Sequence, residues 1–201
     1  MRKINIAILT SNTAGNLQSI IEHMERGTLN VNISVIIGDN SNSPGLKIAR
    51  EHDVESICIP YEGNRGGHEK EILSCLKEHA VDLVILDGYM RIFSPSFVRT
   101  YKNRIMNVHP SLLPSFSGRN AWEQALDHGV KVSGCTIHFA DEGIDTGPII
   151  LQAPVQVRED DTVETLKERI LVEEKKLYPE AIRLFVEGRL KVEGRNVKIK
   201  H

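Results

Sequence analysis

Hydrophobic residues in the first half of the chain form two kinds of run. Short continuous runs are typical of strands buried on both faces, and runs with three-to-four-residue spacing are typical of helices that bury one side. The first kind predicts strands over residues 4–9, 33–37, 56–59 and 82–86, and the second predicts helices over 16–26, from Pro44 onward, and over 69–79. Strands that alternate with helices of this length predict a mostly parallel α/β sheet with right-handed crossovers.

The pattern changes after residue 100. A strand is predicted over 104–108, a short helix over 121–127, and two longer, paired strands over 132–139 and 149–157. A long amphipathic helix over 162–186 and a small hairpin over 191–199, turning at Gly194, complete the chain. No linker or repeat divides it. We therefore expect a single domain over 1–201, with a Rossmann-like, mostly parallel twisted sheet flanked by helices, a C-terminal antiparallel strand and a long helix.

Composition excludes several classes of function. Lys and Arg number 25 against 27 Asp and Glu, so the formal charge of −2 offers no global attraction for nucleic acid or an anionic membrane. Cys58, Cys75 and Cys135 form no CxxC pair, which suits a reducing cytoplasm. Residues 1–12 are typical of a buried strand rather than a signal peptide, and no apolar run is long enough to span a bilayer.

A polar loop follows the first predicted strand, over residues 10–16, and leads into a helix. Backbone N–H groups and the helix dipole at such a junction favour an anion such as a phosphate. The loop is neither GxGxxG nor a P-loop with its lysine. Ser11, Asn12 and Thr13 are equally typical of residues that cap a helix, so both interpretations stay open at this point.

Asn107 and His109 lie two residues apart at the end of a predicted strand, so both side chains point to the same side. An amide donor beside an imidazole suits a carbonyl oxygen that becomes negative during a reaction. Pro110 then ends the strand, and the Leu113–Pro114 bond is a candidate for the cis form. A lone His is more often structural, and that alternative also stays open.

Residues 141–148 place two glycines and three carboxylates in a tight polar loop. A carboxylate next to His109 would orient the imidazole and favour its charged form, or accept a proton. The alternative is a turn in which Asp141 and Asp145 cap backbone N–H groups. No His, Cys or carboxylate cluster has the spacing of metal ligands, so we expect no metal.

Four segments carry a resemblance to a known family. They are GYMRIFSP (88–95), NVHPSLLPSFSG (107–118), GCTIHFADEGIDTGPIILQ (134–152) and EEKKLYP (173–179). Together they resemble the phosphoribosylglycinamide formyltransferases, within the wider 10-formyltetrahydrofolate-dependent formyltransferase superfamily. The resemblance implies transfer of a formyl group from 10-formyltetrahydrofolate to the amine of glycinamide ribonucleotide, in purine biosynthesis, without a metal.

The resemblance also implies roles for individual residues. Asn107, His109 and Asp145 would form a catalytic trio, with His138 a packed or supporting histidine. The first half, 1–103, would resemble a nucleotide-binding unit, and 104–201 would carry the folate and catalytic groups. The implied folate contacts are Arg65, Met90, Arg91, Ile92, Phe93, Asn107, Asp141, Glu142, Gly143 and Ile144. The implied acceptor contacts are Ser11, Ala14, Gly15, Asn16, Gly88 and Glu174, although Glu174 lies in a charged run, 173–176, that is typical of an exposed surface.

The chain departs from the family where the acceptor is expected. The family's phosphate loop has the form SGxGSN, and here it reads SNTAGN over 11–16, while Trp122 replaces a common histidine. The acceptor could therefore be another amine, such as an amino sugar nucleotide, or water, as in a formyltetrahydrofolate deformylase. A catalytically silent nucleotide-binding module is a third reading. A transfer-RNA formyltransferase would need a basic C-terminal domain. We expect only small-molecule partners, a cytoplasmic location, and a monomer or homodimer.

Overall fold

The first strands are apolar along nearly their whole length because helices cover both of their faces. In the computed structural model, which describes residues 3–200, Ile6–Leu9 and all four residues of the strand Leu83–Leu86 are buried. The chain divides into two compact units, and the boundary along the sequence lies between Met106 and Asn107. The functional division at 103/104 expected from the sequence stays a prediction.

The first unit is an α/β layer. Its strands are β1 (Ile4–Thr10), β2 (Val31–Gly38), β3 (Ser56–Cys58) and β4 (Leu83–Leu86), all parallel in the order β3-β2-β1-β4. Its helices are α1 (Leu17–Glu25), α2 (Pro44–Glu51), α3 (Arg65–Glu78) and α4 (Pro95–Thr100). The strand β5 (Ile105–His109) begins at the end of this unit. The parallel sheet and its helices confirm the predicted fold class.

Two helices differ from the sequence prediction. Helix α3 begins at Arg65, four residues earlier than expected, because the side chain of Asn64 accepts a hydrogen bond from the Gly67 amide and caps it. Gly66 and Gly67, both weak helix formers, hid this start. Helix α4 was not predicted. Ser94 caps it, and Pro95 occupies its first position, where a missing N–H costs nothing.

The second unit contains α5 (Ala121–Asp127), β6 (Val132–Phe139), β7 (Ile149–Gln156), α6 (Val163–Val186), β8 (Leu190–Glu193) and β9 (Asn196–Ile199). Its strand order is β6-β7-β9-β8, and the last residues of β5 lie beside β6. Strands β6 and β7 pair antiparallel, from Val132 opposite Gln156 to His138 opposite Ile149. The predicted pairing and the terminal hairpin are both confirmed, the latter with Gly194 at a φ of 61° in its turn.

The long helix α6 covers the β6–β7 pair. A reciprocal pair of hydrogen bonds between Thr162 and Thr165 caps its start. Leu166 and Ile170 on its inner face pack with residues of α5, β6 and β7 in one buried cluster that includes Cys135. Among the helices that residues 3–200 form, none has the length and apolar character to cross a membrane.

Candidate active site

Asp145 is the centre of a cluster in the second unit. Its Oδ2 accepts a hydrogen bond from the Gly118 amide at 2.8 Å and lies 3.3 Å from Nδ1 of His109. Its Oδ1 lies 3.5 Å from the Asn107 amide nitrogen and 3.7 Å from Nε2 of His138. The residue has a φ of 53°, in the left-handed region that Asp tolerates better than most residues. The structure therefore brings Asn107, His109 and Asp145 together, as the family resemblance implied.

His109 is held through both ring nitrogens. Its Nε2 lies 2.8 Å from the carbonyl oxygen of Phe116, and its Nδ1 faces the carboxylate of Asp145. A carbonyl and a carboxylate can only accept, so this arrangement is satisfied in full by an imidazole that carries both protons. The ring is 5% exposed. The arrangement is suited to holding a positive charge beside Asp145.

His138 supports this cluster, which is one of the two roles expected for it. Its Nδ1 lies 3.1 Å from the Phe139 carbonyl oxygen, so Nδ1 carries the hydrogen. Burial lowers the pKa of His138, which keeps the ring neutral and leaves Nε2 as an acceptor. The Asn107 amide donates to that Nε2 at 3.2 Å. His138 thus orients the Asn107 amide, and the i, i+2 spacing of polar residues along β6 was the signal for it.

The loop between β6 and β7 is ordered by its own polar groups. Oδ1 of Asp141 accepts from the Gly143 amide at 3.0 Å and from the Thr146 hydroxyl at 2.6 Å. Asp141 therefore stabilises the turn, as the alternative interpretation expected. A Cβ on Gly147 would lie 1.7 Å from the Phe139 carbonyl oxygen, so only glycine fits there. Ile144 is 53% exposed, and an apolar side chain on a polar loop is suited to contact with a ligand.

The first unit holds the predicted acceptor loop in place. The hydroxyl of Ser11 accepts a hydrogen bond from the Met90 amide at 3.0 Å. A Cβ on Gly88 would lie 1.9 Å from the Thr13 hydroxyl oxygen, and Gly88 also has a φ of 68°. Gly88 is thus required for the close approach of its backbone to Thr13 in the loop 10–16. Ala14 and Gly15 of the loop are both partly exposed.

The start of α1 contains an anion of the protein itself. The buried carboxylate of Asp87 accepts hydrogen bonds from the backbone amides of Asn16 and Leu17 and from the Asn16 side chain, at 2.8–3.2 Å. Asp87 was not expected at this position, since a carboxylate after an apolar strand is typical of a turn. The amides of Asn16 and Leu17 are therefore already bonded within the protein, and a contact of Asn16 with the acceptor stays a prediction.

Two of the predicted folate residues of the first unit, Arg91 and Arg65, are anchored by buried carboxylates. Arg91 donates to Asp39 at 2.7 Å and lies over the Tyr61 ring at 4.4 Å. Arg65 donates to Glu69 at 3.1 Å, and Glu69 also accepts from the amide and the hydroxyl of Ser94. A separate set of aromatic rings, Tyr89, Phe93 and Phe97, stacks at 5.2 and 4.0 Å.

Within the segment 89–93 the side chains divide into two groups. Phe93 is buried in the aromatic stack, whereas Met90 and Ile92 are 48% and 58% exposed. Phe93 accordingly packs among aromatic rings, and the folate contact that the resemblance implies for it stays a prediction. Exposure of two large apolar side chains on a segment fixed by polar contacts is typical of a surface that receives a ligand.

Glu174 is buried on α6, which corrects the expectation of exposure for this residue, whereas Lys175 and Lys176 of the same charged run are exposed as expected. Burial, with the negative charge of Glu174 nearby, raises the pKa of Cys135 to about 12. Trp122 packs against the buried cluster under α6, with the ammonium of Lys167 5.1 Å from its ring centroid. Within residues 3–200, no three His, Cys, Asp or Glu side chains are grouped to hold a metal ion.

Comparisons with known proteins agree on one family. The sequence model of the formyl transferase family, described as "Formyl transferase", matches residues 4–182. Phosphoribosylglycinamide formyltransferase of Escherichia coli is 34% identical over 94% of this chain and 90% of its own length. The bovine trifunctional purine biosynthetic protein adenosine-3 is 40% identical over 98% of this chain. This chain spans about a fifth of that protein's length, since the match covers 20% of it.

A solved structure gives the same result. Glycinamide ribonucleotide transformylase 1 from Symbiobacterium toebii superposes with a TM-score of 0.97 at 46% identity. The match covers 99% of this chain and 95% of the other. The α/β fold with its C-terminal antiparallel strands and long helix is therefore the fold of that protein.

Proposed function

The chain belongs to the formyl transferase family, and we propose that it transfers the formyl group of 10-formyltetrahydrofolate to the primary amine of glycinamide ribonucleotide, a step of purine biosynthesis. One observation carries the proposal: in the second unit, the side chains of Asn107 and His109 both face the carboxylate of Asp145. Formyl transfer needs donors for an oxyanion and a base for an amine proton, and these three side chains supply both.

The proposed reaction begins with attack of the acceptor amine on the formyl carbon. A C–N bond forms, the carbonyl π electrons move to oxygen, and an oxyanion develops that needs hydrogen-bond donors. The side-chain amide of Asn107 and the doubly protonated His109 are the donors. Asp145 accepts the proton that the attacking nitrogen loses.

Proton transfer to Asp145 releases the donors toward the substrate. For each donor, the longest hydrogen-bond contact is the one with Asp145, at 3.5 Å from Asn107 and 3.3 Å from His109. A neutral carboxylic acid accepts hydrogen bonds more weakly than a carboxylate. When Asp145 becomes protonated, the oxyanion is therefore the better acceptor for both. The intermediate then collapses: the bond from carbon to the folate nitrogen breaks, and that nitrogen takes a proton from Asp145.

The folate and acceptor contacts are proposed on residues that the family resemblance implies. Met90, Ile92 and Ile144 offer exposed apolar surface for the folate ring system. The side chain of Arg65 is 46% exposed and places a positive charge for an anionic folate tail. The backbone of residues 11–15, with Gly88, would receive the acceptor phosphate, and Glu174 would contact the ribose.

An absorbance assay for deformylated folate tests the function and its alternatives. Turnover that requires glycinamide ribonucleotide supports the proposal. Turnover with an amino sugar nucleotide in place of that amine, or in water alone with release of formate, would instead assign another acceptor or a deformylase. His109→Ala should lose most of the turnover while the variant still folds, and near-normal turnover in that variant would contradict the proposed mechanism.

We also propose that small molecules are the only partners, that the protein acts in the cytoplasm, and that it is a monomer or homodimer. The near-neutral net charge of −2 supports the absence of nucleic acid and anionic membrane among its partners. Light scattering of the purified chain measures the oligomeric state. Co-sedimentation with RNA or anionic vesicles at physiological salt would overturn the proposed partner class.

A further inference from the structure

The hydroxyl of Thr136 makes every hydrogen bond that a hydroxyl can make, in a fully buried position on β6. It donates to the carbonyl oxygen of Ser111 at 2.7 Å. It accepts from the amide of Leu113 at 3.0 Å and from the side chain of Gln152 at 2.9 Å. Thr136 itself is 0% exposed. Two of these bonds hold Ser111 and Leu113 of one turn, and the third joins the same hydroxyl to Gln152 on β7, so the group forms a clamp rather than incidental packing.

Gln152 on β7 completes this clamp. Its side-chain nitrogen donates to the Leu113 carbonyl oxygen at 3.0 Å as well as to Thr136. The turn is also closed by its own groups: the Ser115 amide donates to Leu112 at 3.1 Å, and the Ser111 hydroxyl donates to Ser115 at 2.5 Å. Residues 111–115 are thus fixed to β6 and β7 by two side chains that are absent from the trio.

The segment that leaves this turn holds two members of the trio. Three residues after Leu113, the Phe116 carbonyl oxygen accepts from His109 at 2.8 Å. Two residues further, the Gly118 amide donates to Asp145 at 2.8 Å. Movement of the turn would therefore displace the imidazole of His109 and the carboxylate of Asp145 together.

We propose that Thr136 is a positioning residue for formyl transfer, acting through the turn 111–115 on His109 and Asp145. The inference rests on the proposed function. Thr136 lies two residues before His138 on β6, so both side chains are on the same face of that strand. His138 orients Asn107 directly, and Thr136 orients His109 and Asp145 through the turn.

Thr136→Val keeps the shape of the side chain and removes its three hydrogen bonds. Because a shift of about 1 Å in a catalytic group can lower a rate about 100-fold, we expect kcat to fall about 10- to 100-fold. The KM of either substrate should stay within about twofold, since Thr136 contacts neither substrate surface proposed above. Thr136→Ser retains the hydroxyl and should restore most of kcat.

Ser133→Ala is the matched control. Ser133 is also a buried hydroxyl residue on β6, and its Oγ has no hydrogen-bond partner among the residues that the structure describes. We expect kcat and both KM values of this variant to equal those of the unchanged protein. If Thr136→Val does not fold, Gln152→Met removes the second half of the clamp and should lower kcat in the same direction.

Amide hydrogen exchange followed by NMR gives a readout that is independent of turnover. In Thr136→Val, the amides of Leu113 and Gly118 should exchange faster, and in Ser133→Ala they should not. A kcat within twofold of normal with unchanged protection of Gly118 would overturn the inference. If the unchanged protein transferred no formyl group, the proposed function would fail, whereas the exchange data would still decide whether the clamp exists.

Discussion

Asp145→Asn removes one charge from the candidate site and little else. The φ of 53° at this position is as accessible to Asn as to Asp, so the backbone need not change. The amide oxygen of Asn can still accept from Gly118, which preserves the 2.8 Å contact that orders the segment after the turn. The variant loses the negative charge 3.3 Å from His109 and the base for the amine proton.

The expected loss follows from that distance. Two unit charges 3.3 Å apart interact by about 5 kcal/mol at an effective dielectric constant of 20, an upper bound because desolvation opposes it. A positioned acid or base contributes about 10²- to 10⁴-fold to a rate, or about 3–5 kcal/mol. We therefore expect kcat of Asp145→Asn to fall about 10²- to 10⁴-fold.

Asp53→Asn provides the control for this experiment. Asp53 also has a φ of 53° and lies on the exposed surface after α2, so the same substitution is made in the same backbone conformation away from the site. Both variants are compared by initial rates of folate product formation and by urea unfolding. The reasoning is refuted if Asp145→Asn retains kcat within threefold, or if Asp53→Asn loses as much.

Three further predictions concern stability and reactivity. Gly147→Ala should lower the unfolding free energy by about 1–3 kcal/mol, because its Cβ would meet the Phe139 carbonyl oxygen; an unchanged urea midpoint would contradict this. Burial lowers the pKa of His138, so just below pH 6.5 the unfolded chain takes up a proton at this residue and the folded chain does not. The unfolding free energy should therefore fall as the pH drops below 6.5, by at most about 1.4 kcal/mol per pH unit from His138. His138→Gln should flatten that dependence in urea titrations from pH 7 to 5. The exposed Cys58 should be alkylated at pH 8 at least about tenfold faster than Cys135, whose pKa is raised to about 12; equal rates by peptide mass spectrometry would exclude this.

The elements that could be predicted from the sequence are those with a clear apolar pattern, either a continuous run or a helical repeat. Strand β4 and helix α6 are examples, since one is a continuous apolar run and the other a long amphipathic pattern. Helix α4 has six residues, too few to show a helical period, and its Ser-Pro start is its main signal. Short helices depend on caps more than on pattern, so periodicity alone misses them.

Spacing placed Asn107 and His109 on the same side of a strand, and the family resemblance alone implied that Asp145 joins them; the surroundings of the three residues were not anticipated. The choice between a packed and a supporting role for His138 stayed open, because nothing in a single strand shows which ring nitrogen will face which partner. Glu174 looked exposed because its neighbours in sequence are charged, yet it lies on the inner face of α6. Long-range partners of polar groups are decided by tertiary packing, which local pattern does not encode.

The proposed catalytic trio and the proposed contacts to the acceptor phosphate lie in different parts of the chain. The trio and the turn that positions it are bonded to one another entirely within the second unit, between residues 107 and 152. The departures from the family's phosphate loop lie in the first unit, where Asp87 already occupies the amides at the start of α1. A change of acceptor can thus arise in the loop 11–15 while every bond of the trio is retained. The departures should consequently alter the KM of the acceptor, and the rate of formyl transfer once bound should depend on the second unit.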